Sequence, residues 1–129
     1  MELPLAPFKQ PVRASAVIGS HVENYDGENC GRIEEVVIHK NYGEVAYLVL
    51  SYPGHFGPSY AEKFFAVPFE SFEMKEVRRH EYDYVLNVDE DFLKRAPGFA
   101  KHSFPDFADP RFITEHQHYY KGITLDIAV

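Results

Sequence analysis

Hydrophobic residues crowd two runs, 31–38 and 45–51, on either side of a short polar break, Lys40-Asn41-Tyr42-Gly43-Glu44. Val, Ile, Leu and Tyr dominate both runs, and such side chains suit a pleated, half-buried surface. The pattern predicts a β-hairpin, with Gly43 supplying the positive φ that such a turn needs. Val45 to Leu50 is apolar at every position, so that strand is expected to be covered on both faces. In the first run, Glu34-Glu35 interrupts the apolar ladder. A bulge there is predicted to turn both carboxylates outward and bend the strand.

The remaining pattern is read outward from this hairpin. Residues 1–13 hold three prolines and no periodicity, a loose leader. Ala16-Val17-Ile18 is expected to begin a strand that continues through His21-Val22-Glu23, and Asn24-Tyr25-Asp26-Gly27 reads as a tight turn. Tyr52 to Ser59, with two prolines and two glycines, is a loop. Lys63 to Val67 is a strand that Pro68, lacking an amide hydrogen, must end or place on an edge. After a charged stretch, Glu73 to Glu81, alternation returns at Tyr82 to Val88. Asp89 then caps a short helix through Arg95, with acids in its first turn and cations in its last. Ala96-Pro97-Gly98 stops it.

Residues 97–110 have no period, yet Phe99, Phe104 and Phe107 recur among prolines. They predict an ordered strap docked on the sheet or on another subunit, since a disordered tail carries few large apolar groups. Phe112 to Tyr120 is read as extended, and Ile123, Leu125 and Ile127 as a possible last strand. The expectation is a mainly β, single-domain protein. Its leader is 1–13, about five to six strands follow over 14–90, and 91–129 holds the short helix and an irregular aromatic extension. No internal repeat or low-complexity segment is present.

Charge narrows the partners. Thirteen Lys and Arg against twenty Asp and Glu give a formal charge of −7, which repels phosphate backbones and anionic headgroups, so no nucleic-acid partner is expected. The single cysteine, Cys30, excludes an internal disulfide and fits a reducing compartment. The first residues lack a signal peptide's basic start and apolar core, and no window reaches the roughly 20 apolar residues that cross a bilayer. A cytosolic protein without direct membrane insertion is the expectation.

Candidate chemistry is sparse. His116 and His118 would share a face of an extended segment, and with His102, Asp106 or Asp109 could begin a metal site. Zinc needs three or four converging ligands, and this spacing fixes two. Asp89, Glu90 and Asp91 are better explained as a helix cap than as an acid/base set or calcium loop. Cys30 lacks the surroundings of a nucleophile, Ser51, Ser59 and Ser71 lack an elbow, and Gly54 to Gly57 lacks the Lys-Ser/Thr of a phosphate loop. No cofactor is expected. The residues expected to matter are aromatic: Tyr52, Phe56, Tyr60, Phe99, Phe104, Phe107, Tyr119 and Tyr120. Tyr and Phe are favoured interface anchors, and a domain of this size also needs its aromatics for the core.

The pattern Val22, Asp26-Gly27, Gly31, Ile33, Val36 to Ile38, Gly43, Val45 to Ser51 and Val67-Pro68 resembles the PRC-barrel family over roughly residues 14–90. Beyond it, Leu93 to Pro97 and Tyr119-Tyr120-Lys121-Gly122 are similar to the tail of the photosynthetic reaction-centre H subunit, a tail that also occurs on free-standing bacterial PRC-barrel proteins. The resemblance implies a small β-barrel serving protein interaction. The resulting expectation is a non-catalytic adaptor that forms a homodimer and binds a protein partner. The alternatives are a small-molecule or metal-binding module, or a subunit of a membrane-associated photosynthetic electron-transfer assembly.

Overall fold

The two runs flanking Gly43 do pair. In the computed structural model, which describes residues 11–52, 63–78 and 81–123, β2 (Asn29–Ile38) and β3 (Val45–Tyr52) are antiparallel neighbours. Gly43 takes φ +68°, and the turn closes through His39 N–H to the Glu44 carbonyl at 2.8 Å. The register slips between Ile33 and Glu35, which places the predicted bulge at Glu34. Its outcome is only half of the expectation. Glu35 is exposed, but Glu34 is partly buried and accepts from the Ser51 hydroxyl at 2.8 Å. Partial burial acts to raise the Glu34 carboxyl, but the bonds from Ser51 and Arg32 outweigh it and hold the group below its usual range.

Four more strands complete one sheet: β1 (His21–Glu23), β4 (Lys63–Pro68), β5 (Phe72–Arg78) and β6 (Glu81–Leu86). Their order is β4-β3-β2-β1-β6-β5, with β1 and β6 parallel and the other neighbours antiparallel. The two edge strands, β4 and β5, are joined by a single 3₁₀ turn, Phe69–Ser71. A three-residue link spans only about 10 Å, so the sheet must curl until its edges approach, as in a small barrel. Pro68 ends the edge strand β4, as its missing amide hydrogen requires. β5 falls in the charged stretch that carried no strand prediction. Its charges suit an exposed edge, where they discourage pairing with another chain.

The core follows from alternation. Ile33, Leu48, Leu50, Phe65, Val67, Phe72, Tyr84 and Leu86 belong to one buried cluster, which Leu93 and Tyr120 extend beyond the sheet. β3 is buried from Tyr47 through Ser51, so both of its faces are covered as predicted. Helix α2 (Glu90–Arg95) begins as expected, its first amides met by the Asp89 carboxylate at the Phe92 N–H, 2.8 Å away.

Two expectations are overturned. Residues Ala14–Val17 form one helical turn, α1, rather than the start of a strand. Only Val17 is buried there, Ile18 being exposed, so the segment lacks the two-residue burial rhythm of a strand. Residues Phe112 to Tyr120 are not extended but lie within helix α3 (Pro110–Tyr120). Asp109 caps it at the Arg111 N–H, 2.9 Å away, and Pro110 occupies a first-turn position where its missing amide hydrogen costs nothing. Phe112, His116 and Tyr120, four residues apart, then share one face. That burial outweighs the modest helix propensity of aromatic and β-branched residues. The possible last strand lies largely in 124–129, outside the described residues.

Candidate functional site

The second face of β3 and β4 is covered by the chain's own tail. The strap folds back on β4, where Phe64 and Phe99 exchange two backbone hydrogen bonds of 2.9 Å each. Its rings interlock edge to face: Phe64 with Phe99 at 6.2 Å, Phe99 with Phe104 at 4.9 Å and Phe107 with Phe112 at 5.2 Å. Tyr47 of β3 meets Phe107 at 6.0 Å and Phe112 at 5.7 Å. Such pairs add to the free energy of burial because ring edges and faces carry opposite partial charge. The predicted docking of the three strap phenylalanines thus occurs within the chain.

The three do not contribute equally. Phe104 stays 43% exposed, whereas Phe107 is half-buried between Tyr47 and Phe112. Phe107→Ala should lower unfolding stability by about 2 kcal/mol and Phe104→Ala by under about 1 kcal/mol, because only the first leaves a cavity. Urea midpoints measure both. Equal losses would mean that the strap sits differently on the sheet.

Where the tail lands, it leaves a groove of about 490 Å³. Val37 and Ile38 of the hairpin form one wall, and Phe107 of the strap with Ile113 of α3 forms the other, with Tyr47 and Pro68 also lining it. Lys40 and Glu70 stand on the lining as charges of opposite sign. Ile38 is 58% exposed and Tyr42 79%, so two large apolar side chains project at the hairpin tip beside the groove. Burial, with Glu70 as a lesser cause, pushes the Tyr47 phenol above its usual range.

The sequence-predicted aromatics fall in three places. Phe99, Phe104 and Phe107 form the strap cluster, and only Phe107 lines the groove. Tyr119 and Tyr120 sit against Phe92 of α2, Tyr119 donating its hydroxyl to the Phe92 carbonyl. Tyr52 is half-buried against the core. Phe56 and Tyr60 lie outside the described residues. Sequence reasoning missed Tyr47, Phe112 and Ile113. The signal was present in Asp109-Pro110, a helix start followed by aromatic rings at every fourth position.

Family membership rests on the strands beneath the groove. The family model of the PRC-barrel domain matches residues 11–93. The chain belongs to the PRC-barrel family. The match runs from α1 into α2, so the strap and α3 lie beyond the family domain, and the groove forms where they meet the PRC barrel. No curated protein matches the chain.

The other candidate chemistry is dispersed over this PRC-barrel protein. His116 and His118 do not share a face, because two residues along a helix turn roughly 200°; His116 is buried and His118 exposed. Among the described residues no three His, Cys, Asp or Glu side chains are grouped to hold a metal ion. Cys30 is buried in the barrel, and burial pushes its thiol up to about 11, so it stays protonated at neutral pH. Glu90 pairs with Lys94 at 3.5 Å along α2. No helix among the described residues is long and apolar enough to cross a membrane.

Proposed function

We propose that this PRC-barrel protein is a non-catalytic, cytosolic interaction module that forms a homodimer and offers a protein partner the same face. The observation that carries this reading is the groove between hairpin and tail, with exposed Ile38 and Tyr42 at its side. A projecting aromatic next to a hollow is self-complementary. Two copies related by a two-fold axis can each place a hairpin tip in the other's groove, in the isologous manner of most small homodimers. The opposite charges of Lys40 and Glu70 on the lining suit the same exchange. Tyrosine is among the residues that most often anchor such contacts. The likeness of the tail to that of the reaction-centre H subunit, itself part of an assembly, supports the same use of the surface. The lone buried Cys30 fits a reducing compartment.

Native mass spectrometry over a concentration series tests the reading. Wild type should give a dimer, and Tyr42→Asp should raise the dissociation constant at least about tenfold, the loss of roughly 1.4 kcal/mol, while its melting temperature stays unchanged. A monomer at every concentration, or a dimer indifferent to Tyr42→Asp, would overturn it.

A further inference from the structure

One ring that fastens α3 to the sheet carries a proton-binding atom with no hydrogen-bond partner among the described residues. His116 is only 3% exposed. It stacks on Phe112 at 3.8 Å, meets Tyr47 of β3 at 6.2 Å nearly edge-on, and lies 6.2 Å from Tyr120. Its Nδ1 is 3.0 Å from the Phe112 carbonyl oxygen. A carbonyl oxygen can only accept, so Nδ1 carries the proton of the neutral ring. The Nε2 lone pair is then buried without a partner among the described residues. Protonating it would set a cationic N–H inside an aromatic enclosure with no acceptor, a costly arrangement in low dielectric.

The surroundings offer little compensation. On its own helix the ring has the Glu115 carboxylate and the Tyr120 phenol; from β3 it faces Tyr47, near which Glu70 of the 3₁₀ turn acts. β4, which α3 crosses, has Lys63 as its only titratable side chain, and that ammonium is bonded to the Lys94 and Ala96 carbonyls. Glu115 and the Phe112 carbonyl favour the charged imidazole, but burial outweighs them and holds His116 below its usual pKa.

We infer that α3 is a proton-released clasp, docked on the β3–β4 face while His116 is neutral and freed when Nε2 takes a proton. The sign follows from linkage. Above the ordinary imidazole value of about 6.5 both states are neutral and docking has its full strength. Below it, the undocked ring binds a proton that the docked ring refuses, so the docking constant falls by up to about tenfold per pH unit until the docked ring itself titrates. Release would remove Ile113 and Gln117 from the groove and bare Tyr47. The clasp goes beyond the proposed function, because it operates in the isolated chain with no partner.

Amide hydrogen exchange between pH 7.5 and 5.0, expressed as protection relative to the intrinsic rate at each pH, tests it. Protection of the 113–120 amides should fall about tenfold or more from pH 6.5 to 5.0, while the β2 and β3 amides keep theirs. His116→Phe should flatten the α3 profile and His118→Gln should leave it as in wild type. The Phe variant retains Asp109 and Glu115, so any dependence arising from those carboxylates would persist in it. Should His116→Phe lack the wild-type far-ultraviolet circular dichroism, the same readout on His116→Met decides, since that side chain is also apolar and cannot be protonated. Protection of α3 that does not change with pH in wild type, or a fall that survives removal of the imidazole, would overturn the inference.

Discussion

Gly31→Ala should cost about 4 kcal/mol of unfolding stability, from backbone strain of about 1–3 kcal/mol plus a clash. Gly31 sits in the middle of the sheet, opposite Val22 on β1, and next to Arg32, which pairs with Ser51 on β3. Its φ is +107°, and a Cβ built there would lie 2.0 Å from the Ser51 carbonyl oxygen. The obstacle is backbone rather than the movable end of a side chain. Relief therefore requires β2 and β3 to part, breaking ladder bonds near the bulge. For a domain whose total stability is of order 5–15 kcal/mol, such a loss leaves little in reserve. Gly43→Ala is the contrasting control: its φ is also positive, but the Cβ would meet nothing within 4 Å, so only strain of about 1 kcal/mol is expected. Urea denaturation followed by circular dichroism measures both, and equal midpoints for the two variants would show that the close approach at Ser51 is wrong.

Tyr120→Ala should cost a similar amount, about 3–5 kcal/mol, the usual loss when a fully buried aromatic side chain is cut back. Tyr120 has no exposed surface and ends α3 against Phe92 of α2, with Tyr119 beside it. Burial, with Tyr119 as a lesser cause, pushes its phenol well above the usual range, so it is uncharged at neutral pH. Because the ring belongs to the same cluster as Leu93 and the barrel core, the cavity would open between helices and sheet together. A fall in melting temperature of roughly 10–20 °C is expected for a chain of this size. A melt within a degree or two of wild type would mean that the tail contributes nothing to the stability of the barrel.

What the sequence disclosed was the part of the fold governed by local rules. The hairpin at Gly43, the cap at Asp89, the bulge at Glu34 and the terminal place of Pro68 each follow from two or three neighbouring residues, and each stands where expected. The errors arose where local preference and tertiary burial disagree. Phe112 to Tyr120 is rich in residues that favour strands, and the helix exists because its every-fourth-residue stripe meets Tyr47 and Phe92 across the fold. β5 was hidden by its charges, which mark an exposed edge rather than a loop. The groove was the least legible feature, since its walls come from strand, strap and helix separated by up to about 75 residues, and no contiguous pattern records their meeting.

The parallel pairing of β1 with β6 has a consequence for how the chain assembles. β2, β3 and β4 can zip as successive hairpins, and β5 with β6 as another, each closing over a short length of chain. Val22 and Tyr84, in contrast, are about sixty residues apart, and their pairing must pay the entropy of closing that whole loop before it returns any contact. The seam between the meander and the hairpin is therefore expected to close last, which predicts folding in milliseconds or longer, as for other domains dominated by non-local β pairing.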